Sequence, residues 1–300
     1  MDKQLPFFKS PYFQLHLSVF LFGFTAILGA SADLSSFWLV WHRCWLAIIG
    51  FAVIGIIRNG VSFFTFRNPV RLIFIGGILA LHWLLFFLSI RLSSASITLA
   101  CLGIGTLFTA LLEPIFLPEH KLHWVEILVS GIVLAGLLLI YQAEAEFSLG
   151  ILVALLSTLL SSLYSILNKK YITHLDTVYV NFMELWGSFG VVSLCIPILF
   201  WLNEPIELFP SQQDWGLLLI LAWLCTCFAY ILSINALKKV SAFTYILSVN
   251  MEPVYGILMA WILLGEKDVV HLSFILGTTL ILSSVIVYPW LKTKITASSK

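Results

Sequence analysis

Apolar residues along the chain gather into ten runs, at 12–31, 35–57, 70–91, 94–117, 122–141, 147–169, 178–201, 214–236, 241–264 and 270–291. Each is close to the roughly 20 residues that a helix needs to cross a hydrocarbon core of about 30 Å. Polar and turn-forming residues fill the breaks: Arg58 to Asn68, Glu119-His120-Lys121, Glu144 to Ser148, His174 to Thr177 and Asn203 to Asp214. The pattern predicts an all-α, polytopic membrane protein of ten transmembrane helices joined by short loops. Lys3 and Lys9, the first apolar run and Ala30-Ser31-Ala32 together have the outline of a cleavable signal peptide. Removing that segment would leave nine spans and break the charge pattern described below, so it is read as the first span.

Composition agrees with lipid as the solvent. Of 300 residues, 60% are hydrophobic and 10% charged, with a mean hydropathy of +1.03; soluble domains run at about 45–50% and about 25%. A soluble chain with this balance could not cover its core with polar surface. The formal net charge of +1 offers no basic footprint for nucleic acid. Cys44, Cys101, Cys195, Cys225 and Cys227 all fall inside apolar runs. Their spacing fits neither a zinc nor a disulfide pattern, and they read as small packing residues.

The placement of charge orients the chain. With the N-terminus in the cytoplasm, the inner side collects Lys3, Lys9, Arg58, Arg67, Arg71, Lys121, Lys169, Lys170, Lys238, Lys239, Lys292, Lys294 and Lys300, thirteen of the sixteen basic residues. The outer side holds Arg91 and Lys267, with Asp33, Glu144, Glu146, Glu204, Glu207 and Asp214. Translocating Lys and Arg is disfavoured, so both termini are expected in the cytoplasm of a plasma membrane, such as a bacterial inner membrane.

Five spans per half start the second half on the opposite side from the first. Residues 1–146 and 147–300 are therefore expected to be inverted repeats. A shift of 147 residues puts Ser94-Ala95 on Ser241-Ala242, Glu119 on Glu266 and Tyr141 on Tyr288 without a gap. Only seven of 51 positions are identical between 91–141 and 238–288. Matched lengths and anchors, rather than identity, carry the repeat. Such repeats recur in secondary transporters, with the substrate near the bilayer midplane between them.

With these features in place, the chain resembles the ten-helix EamA type of the drug/metabolite transporter superfamily over nearly its whole length. In the second half the resemblance is carried by Ser241-Ala242, Glu252-Pro253 and Gly265-Glu266; in the first, by Arg43, Ser94-Ala95 and Glu119. The family places a proline mid-helix in both halves, whereas here Thr106 matches Pro253 and Glu113-Pro114 lies further along. The resemblance implies two five-helix bundles around a central cavity and a metabolite carrier, commonly an exporter of amino acids or related molecules.

Charged groups in a bilayer cost roughly 2.5–3.5 kcal/mol each on insertion scales, so those present usually face protein or water. Arg43, Glu113, Glu184 and Glu252 stand out. Glu252 lies mid-span beside Pro253, whose missing N–H leaves the carbonyl of Val249 without its helical partner, which predicts a helix break there. Tyr245, Ser248, Glu252, Tyr255 and Met259 recur at steps of three and four and so share one face. The 147-residue shift turns this stripe into Thr98, Cys101, Gly105, Phe108 and Leu112, an opposing wall of mostly smaller residues. The alternative role for Glu252 is pairing with a neighbouring helix.

Arg43 and Glu184 sit about a third of the way in from opposite faces, as mirror positions would. Arg43 is either a bidentate holder of a carboxylate or phosphate, or a fixed counter-ion for an acid. Asn181, Glu184 and Ser188 share a helical face. His82, with Phe86 and Ser89, offers a proton acceptor near neutral pH or a buried neutral ring bonded to a neighbouring helix. Ser157, Ser161, Tyr164 and Asn168 form a further stripe that either lines a cavity or lets helices pack closely. Glu113 reaches interfacial water, and Glu119 and Glu266 shape turns. Trp38, Trp124, Trp201, Trp215 and Trp290 read as an interfacial belt, while Trp83 and Trp186 are deep enough to stack on cargo.

The sequence-level reading is a non-enzymatic, secondary-active carrier that works by alternating access on a small-molecule substrate in a lipid bilayer. No metal or cofactor is expected; a proton is the candidate coupling ion, and monomer and homodimer are both left open. Nucleotide-sugar or sugar-phosphate cargo is the alternative within carriers, although only one intramembrane arginine is present to meet phosphate. A channel or non-transporting scaffold is the alternative outside them. An intramembrane enzyme is disfavoured because the spans contain no HExxH or GxSxG motif. Reporter fusions test the topology: a cytoplasmic reporter should be active at both ends of the chain, and opposite readings at the two ends would refute the inverted arrangement.

Overall fold

The computed structural model describes residues 10–64, 69–120, 122–143, 145–172, 174–265 and 272–298. Lys3, Lys9, Arg67, Lys121, Glu144, Glu266, Lys267 and Lys300, which enter the charge and repeat patterns, lie outside these residues. Among the described residues the secondary structure is helical throughout.

In the first half the helices are α1 (Pro11–Ser31), α2 (Ser36–Asn59), α3 (Pro69–Leu92), the pair α4 (Ala95–Leu102) and α5 (Gly105–Phe116), and α6 (Trp124–Ala143). The second half begins with α7 (Ser148–Tyr171), α8 (Thr177–Leu194) and α9 (Ile196–Leu202). One further pass is made of α10 (Gln212–Leu219), a π-helical stretch Ile220–Phe228 and α11 (Ala229–Leu237). The next is α12 (Ala242–Val249), α13 (Glu252–Met259) and a second π-helical stretch Ala260–Leu264, and the last is α14 (Leu272–Ser298). These elements fall on the ten apolar runs. Eight passes are long and apolar enough to cross a membrane, while the apolar parts of α6 and α14, Trp124–Ile140 and Leu272–Ser284, are shorter.

The helix starts follow local chemistry. Ser94 accepts from the Ile97 N–H at the head of α4, and Ser241 accepts from the Thr244 N–H at the head of α12. These two caps stand in the same register of the repeat. A second matched pair lies just before them. Arg91 donates to the carbonyls of Ala32 and Leu34, and Lys238 donates to the Leu175 carbonyl and the Thr177 hydroxyl. In each half, then, a cation after the third pass ties down the loop between the first two.

Packing repeats the symmetry. α3 lies against α7 and α8, while α1 lies against α11, and both α1 and α2 lie against the π-helical stretch before it. α6 packs on α14, and the broken passes cross with α4 on α13 and α5 on α12, which makes them antiparallel. Small residues allow the closest approaches. A Cβ added to Gly76 would stand 1.8 Å from the Glu184 carbonyl oxygen, and one on Gly187 would stand 2.0 Å from that of Ile73. α3 and α8 thus touch backbone to backbone.

Two expectations need correction. Trp38 is 1% exposed and donates to the Pro205 carbonyl at 3.0 Å, so it is not part of an interfacial belt. It belongs to an aromatic cluster with Trp41 around His42, whose Nδ1 accepts from Trp45 and whose Nε2 contacts the Glu207 carbonyl at 2.9 Å. Trp186 is 46% exposed and faces outward, away from any central site. Trp124, Trp201 and Trp290 are exposed, as lipid-facing or interfacial residues should be. Cys44, Cys101, Cys225 and Cys227 are buried, and the cysteines are free.

The glycine contacts carry a prediction. Gly76→Ala should destabilise the purified protein by about 1–3 kcal/mol or more, because backbone on the far side cannot yield to the new methyl. Gly131→Ala, where a Cβ would meet nothing within 4 Å, should leave the thermal midpoint unchanged or raised. Equal midpoints for both variants would contradict the packing described here.

Candidate functional site

The two broken passes meet at their breaks. α4 gives way to α5 at Gly103-Ile104, and α12 to α13 at Asn250-Met251. The Asn250 amide donates to the Gly103 carbonyl at 3.4 Å across a separation of 147 residues, the repeat shift itself. The break in the first half falls before Thr106, and Pro114 sits inside α5 without ending it. In the second half α12 ends at Val249, and Pro253 occupies the first turn of α13, where its missing N–H does no harm.

Beside this crossing lies a partly open cavity of about 70 Å³. Of the residues singled out in the sequence, Arg43, His82, Trp83, Ser161, Tyr164, Tyr245, Val249 and Glu252 line it. Gly23 lets α1 approach the backbone at Glu252, where an added Cβ would stand 3.1 Å from the Glu252 carbonyl oxygen. Phe22 and Thr25 of α1 are also in the wall.

Arg43 is 2% exposed, yet its guanidinium opens on the cavity. Nε donates to the Thr226 hydroxyl at 2.8 Å, and the guanidinium carbon stands 3.8 Å over the Trp83 ring. Such stacking favours a cation and leaves the fork of the two terminal nitrogens for another acceptor. Thr226 donates onward to the Leu221 carbonyl five residues back at 2.8 Å, a reach that the π-helical turn makes possible. Glu252 is 5% exposed. It shares the cavity with Arg43. Among the described residues the ion pairs within 4.0 Å are Arg58–Asp176 and Glu113–His120, so none joins Arg43 to Glu252.

Around these charges the polar groups are tied down. The Ser157 hydroxyl donates to the His82 carbonyl at 2.9 Å, which commits its single proton. His82 Nδ1 then donates to Ser157, whose carbonyl lies at 2.9 Å, and Nε2 is the acceptor of the neutral ring. The Tyr245 hydroxyl is 2.5 Å from the Ser233 hydroxyl, and that of Tyr164 donates to Glu184 Oε2 at 2.8 Å.

The structure does not bring the other candidates to the wall. Glu184 lies behind Tyr164, and the Asn181 amide donates to the Thr177 carbonyl one turn back. Thr98 bonds to Ser89, which also bonds to the Gly150 carbonyl, so it fastens helices together. Ser248 donates back to the Thr244 carbonyl, and Tyr255 packs edge-on against Phe20. The stripe 245–259 assumed one unbroken helical register, and the break at Asn250-Met251 interrupts it. Glu113 does not reach interfacial water alone: it accepts from the N–H groups of Ala242 and Phe243 and caps α12.

Sequence reasoning missed Tyr230, Thr226 and Leu102. The repeat shift held the signal, since adding 147 to Trp83 gives Tyr230, and the two rings meet at 5.8 Å. The same shift relates Leu102 to Val249 and Gly105 to Glu252, and all four line the cavity.

A family profile described as the EamA-like transporter family matches residues 9–142 and again 148–288. No curated protein matches significantly. Among solved structures, a crystal structure of a protein aligns with a TM-score of 0.73 at 19% identity, covering 95% of this chain and 98% of that one. That likeness concerns the fold.

Thr226 yields a direct test. Thr226→Val leaves a buried Arg43 donor without its acceptor and should cost about 1–3 kcal/mol of stability by thermal or denaturant unfolding. Thr226→Ser should restore most of it. A Val variant as stable as the parent would show that the hydroxyl does not hold Arg43.

Proposed function

Since the chain belongs to the EamA-like transporter family and is thus a multi-pass membrane transporter of the drug/metabolite type, we propose that its cargo is an amino acid or related zwitterion, exported by alternating access. The observation that carries this reading is the pairing of Arg43 and Glu252 on one cavity without an ion pair between them. A zwitterion completes both charges at once: its carboxylate takes the fork of the two terminal guanidinium nitrogens, and its ammonium takes the Glu252 carboxylate.

Trp83, Tyr230 and Phe86 give the cavity an aromatic wall for the apolar part of the cargo. A sugar phosphate or nucleotide sugar is less well matched, because Arg43 is the one arginine or lysine among the lining residues. Alternating exposure of the site to the two sides then follows from an inverted repeat, in which one conformation is approximately the mirror of the other.

Thermal-shift screening of the purified protein against amino acids, nucleosides and sugars tests the cargo class. A ligand at a hundredfold excess over its Kd should stabilise the fold by about 2.7 kcal/mol. The response should be strongest for zwitterions. Arg43→Ala and Glu252→Gln should each weaken it roughly tenfold to a hundredfold, as expected for a lost charge-assisted hydrogen bond. Unchanged binding and unchanged proteoliposome counterflow in both variants would remove the basis for the zwitterion.

A further inference from the structure

Glu184 lies on α8 behind the cavity wall, 1% exposed, and the cargo-binding scheme leaves it unused. The hydroxyl of Tyr164, a residue of the cavity wall, donates to Glu184 Oε2 at 2.8 Å. Asn168 stands close enough to act on the same carboxyl. Yet Glu184 Oε1 and both amide atoms of Asn168, itself fully buried, complete no hydrogen bond of normal geometry. The carboxyl oxygen and the amide therefore lie near each other in the buried interior, within reach of a hydrogen bond that neither completes with normal geometry.

Among the described residues no cation acts on this carboxyl from the helices around it. α3 presents backbone at Gly76, and α9 contains no charged residue. From α7, α11 and α12 the titratable groups that act on Glu184 are the hydroxyls of Tyr164, Tyr230 and Tyr245. On α2, Arg43 is engaged by Thr226 and Trp83. An ionised carboxylate shut away from water among neutral partners carries a large desolvation penalty that only a counter-charge or a proton removes.

Asn168 suits a group that changes protonation. A small side-chain adjustment would let a protonated carboxyl donate its O–H on Oε1 to Asn168 Oδ1, and the flipped amide would let Nδ2 donate to the ionised carboxylate instead. Tyr164 can donate to Oε2 in both states. We infer that Glu184, Asn168 and Tyr164 form a proton-binding site behind the cavity, distinct from the residues that meet cargo and occupied by one proton in this conformation. The step is a simple addition: the carboxylate takes one proton from cavity water beside Tyr164 to become the acid, and returns it to water in the opposite-facing state. This deepens the carrier reading, on which its role as a coupling site rests.

Infrared spectroscopy of the purified protein in lipid nanodiscs, titrated over pH, reads the site without any cargo. The expected result is a protonated-carboxyl C=O band that is lost in Glu184→Gln and persists in Glu252→Gln. Tyr164→Phe should keep the band and raise its frequency, because one hydrogen bond to the carboxyl is gone; this variant decides the matter if the Gln variant does not fold. A band unchanged in both Glu184→Gln and Tyr164→Phe would overturn the site. So would stabilisation of the wild type, but not of Glu184→Gln, by sodium chloride over choline chloride at fixed pH, which would assign the pocket to a small metal cation. Counterflow of labelled amino acids by the wild type is scored separately: its absence alongside the expected band would refute the carrier reading and leave the proton site standing.

Discussion

Inside a bilayer no water is available to satisfy a backbone that leaves the helix, and this constraint organises the molecule. Two passes break in mid-membrane, and each finds its partner in the other. Asn250 reaches Gly103, Ser162 donates to the Gly105 carbonyl at 3.2 Å, and the turns at the breaks close on themselves through short-range bonds such as Gly103 N–H to Ala100 at 3.2 Å. Broken helices are tolerated here because they cross. The crossing brings the cavity, the Glu252 carboxyl and the Arg43 guanidinium to the middle of the protein.

Much of the fold was legible because it rests on patterns that a one-dimensional chain displays openly. Run lengths predict the passes, the matched Ser94-Ala95 and Ser241-Ala242 mark the repeat, and Glu252-Pro253 marks the break in the second half. The site was legible where burial of a charge is itself unusual, as at Arg43 and Glu252. It was illegible where a side chain's direction depends on geometry that builds up along a helix. Ser248 and Tyr255 leave the cavity because two residues at the break shift the register, and Thr226 comes under the Arg43 Nε because a π-helical turn displaces the residues after Leu221. Neither event has a periodic signature.

Trp38 shows a different limit. A tryptophan near a span end reads as interfacial, yet Trp38 is buried where the segment 203–214 folds back over the start of α2. Asp214 accepts from the Asp33 N–H and Glu207 from that of Ser35. These acids, counted in the sequence only as outer-loop charge, tie the second half to the first. Long-range pairing between loops leaves no trace in local composition.

The contact between α3 and α8 bears on how such a protein can move. Side chains can slide or rotate past one another, but backbones touching at Gly76 and Gly187 have no slack to give. Any excursion that preserves the packing carries these two helices as one piece, although they come from different repeats. The rigid bodies of a transport cycle are then assembled across the repeat boundary, and the hinges between them lie where side chains, not backbones, make the contact.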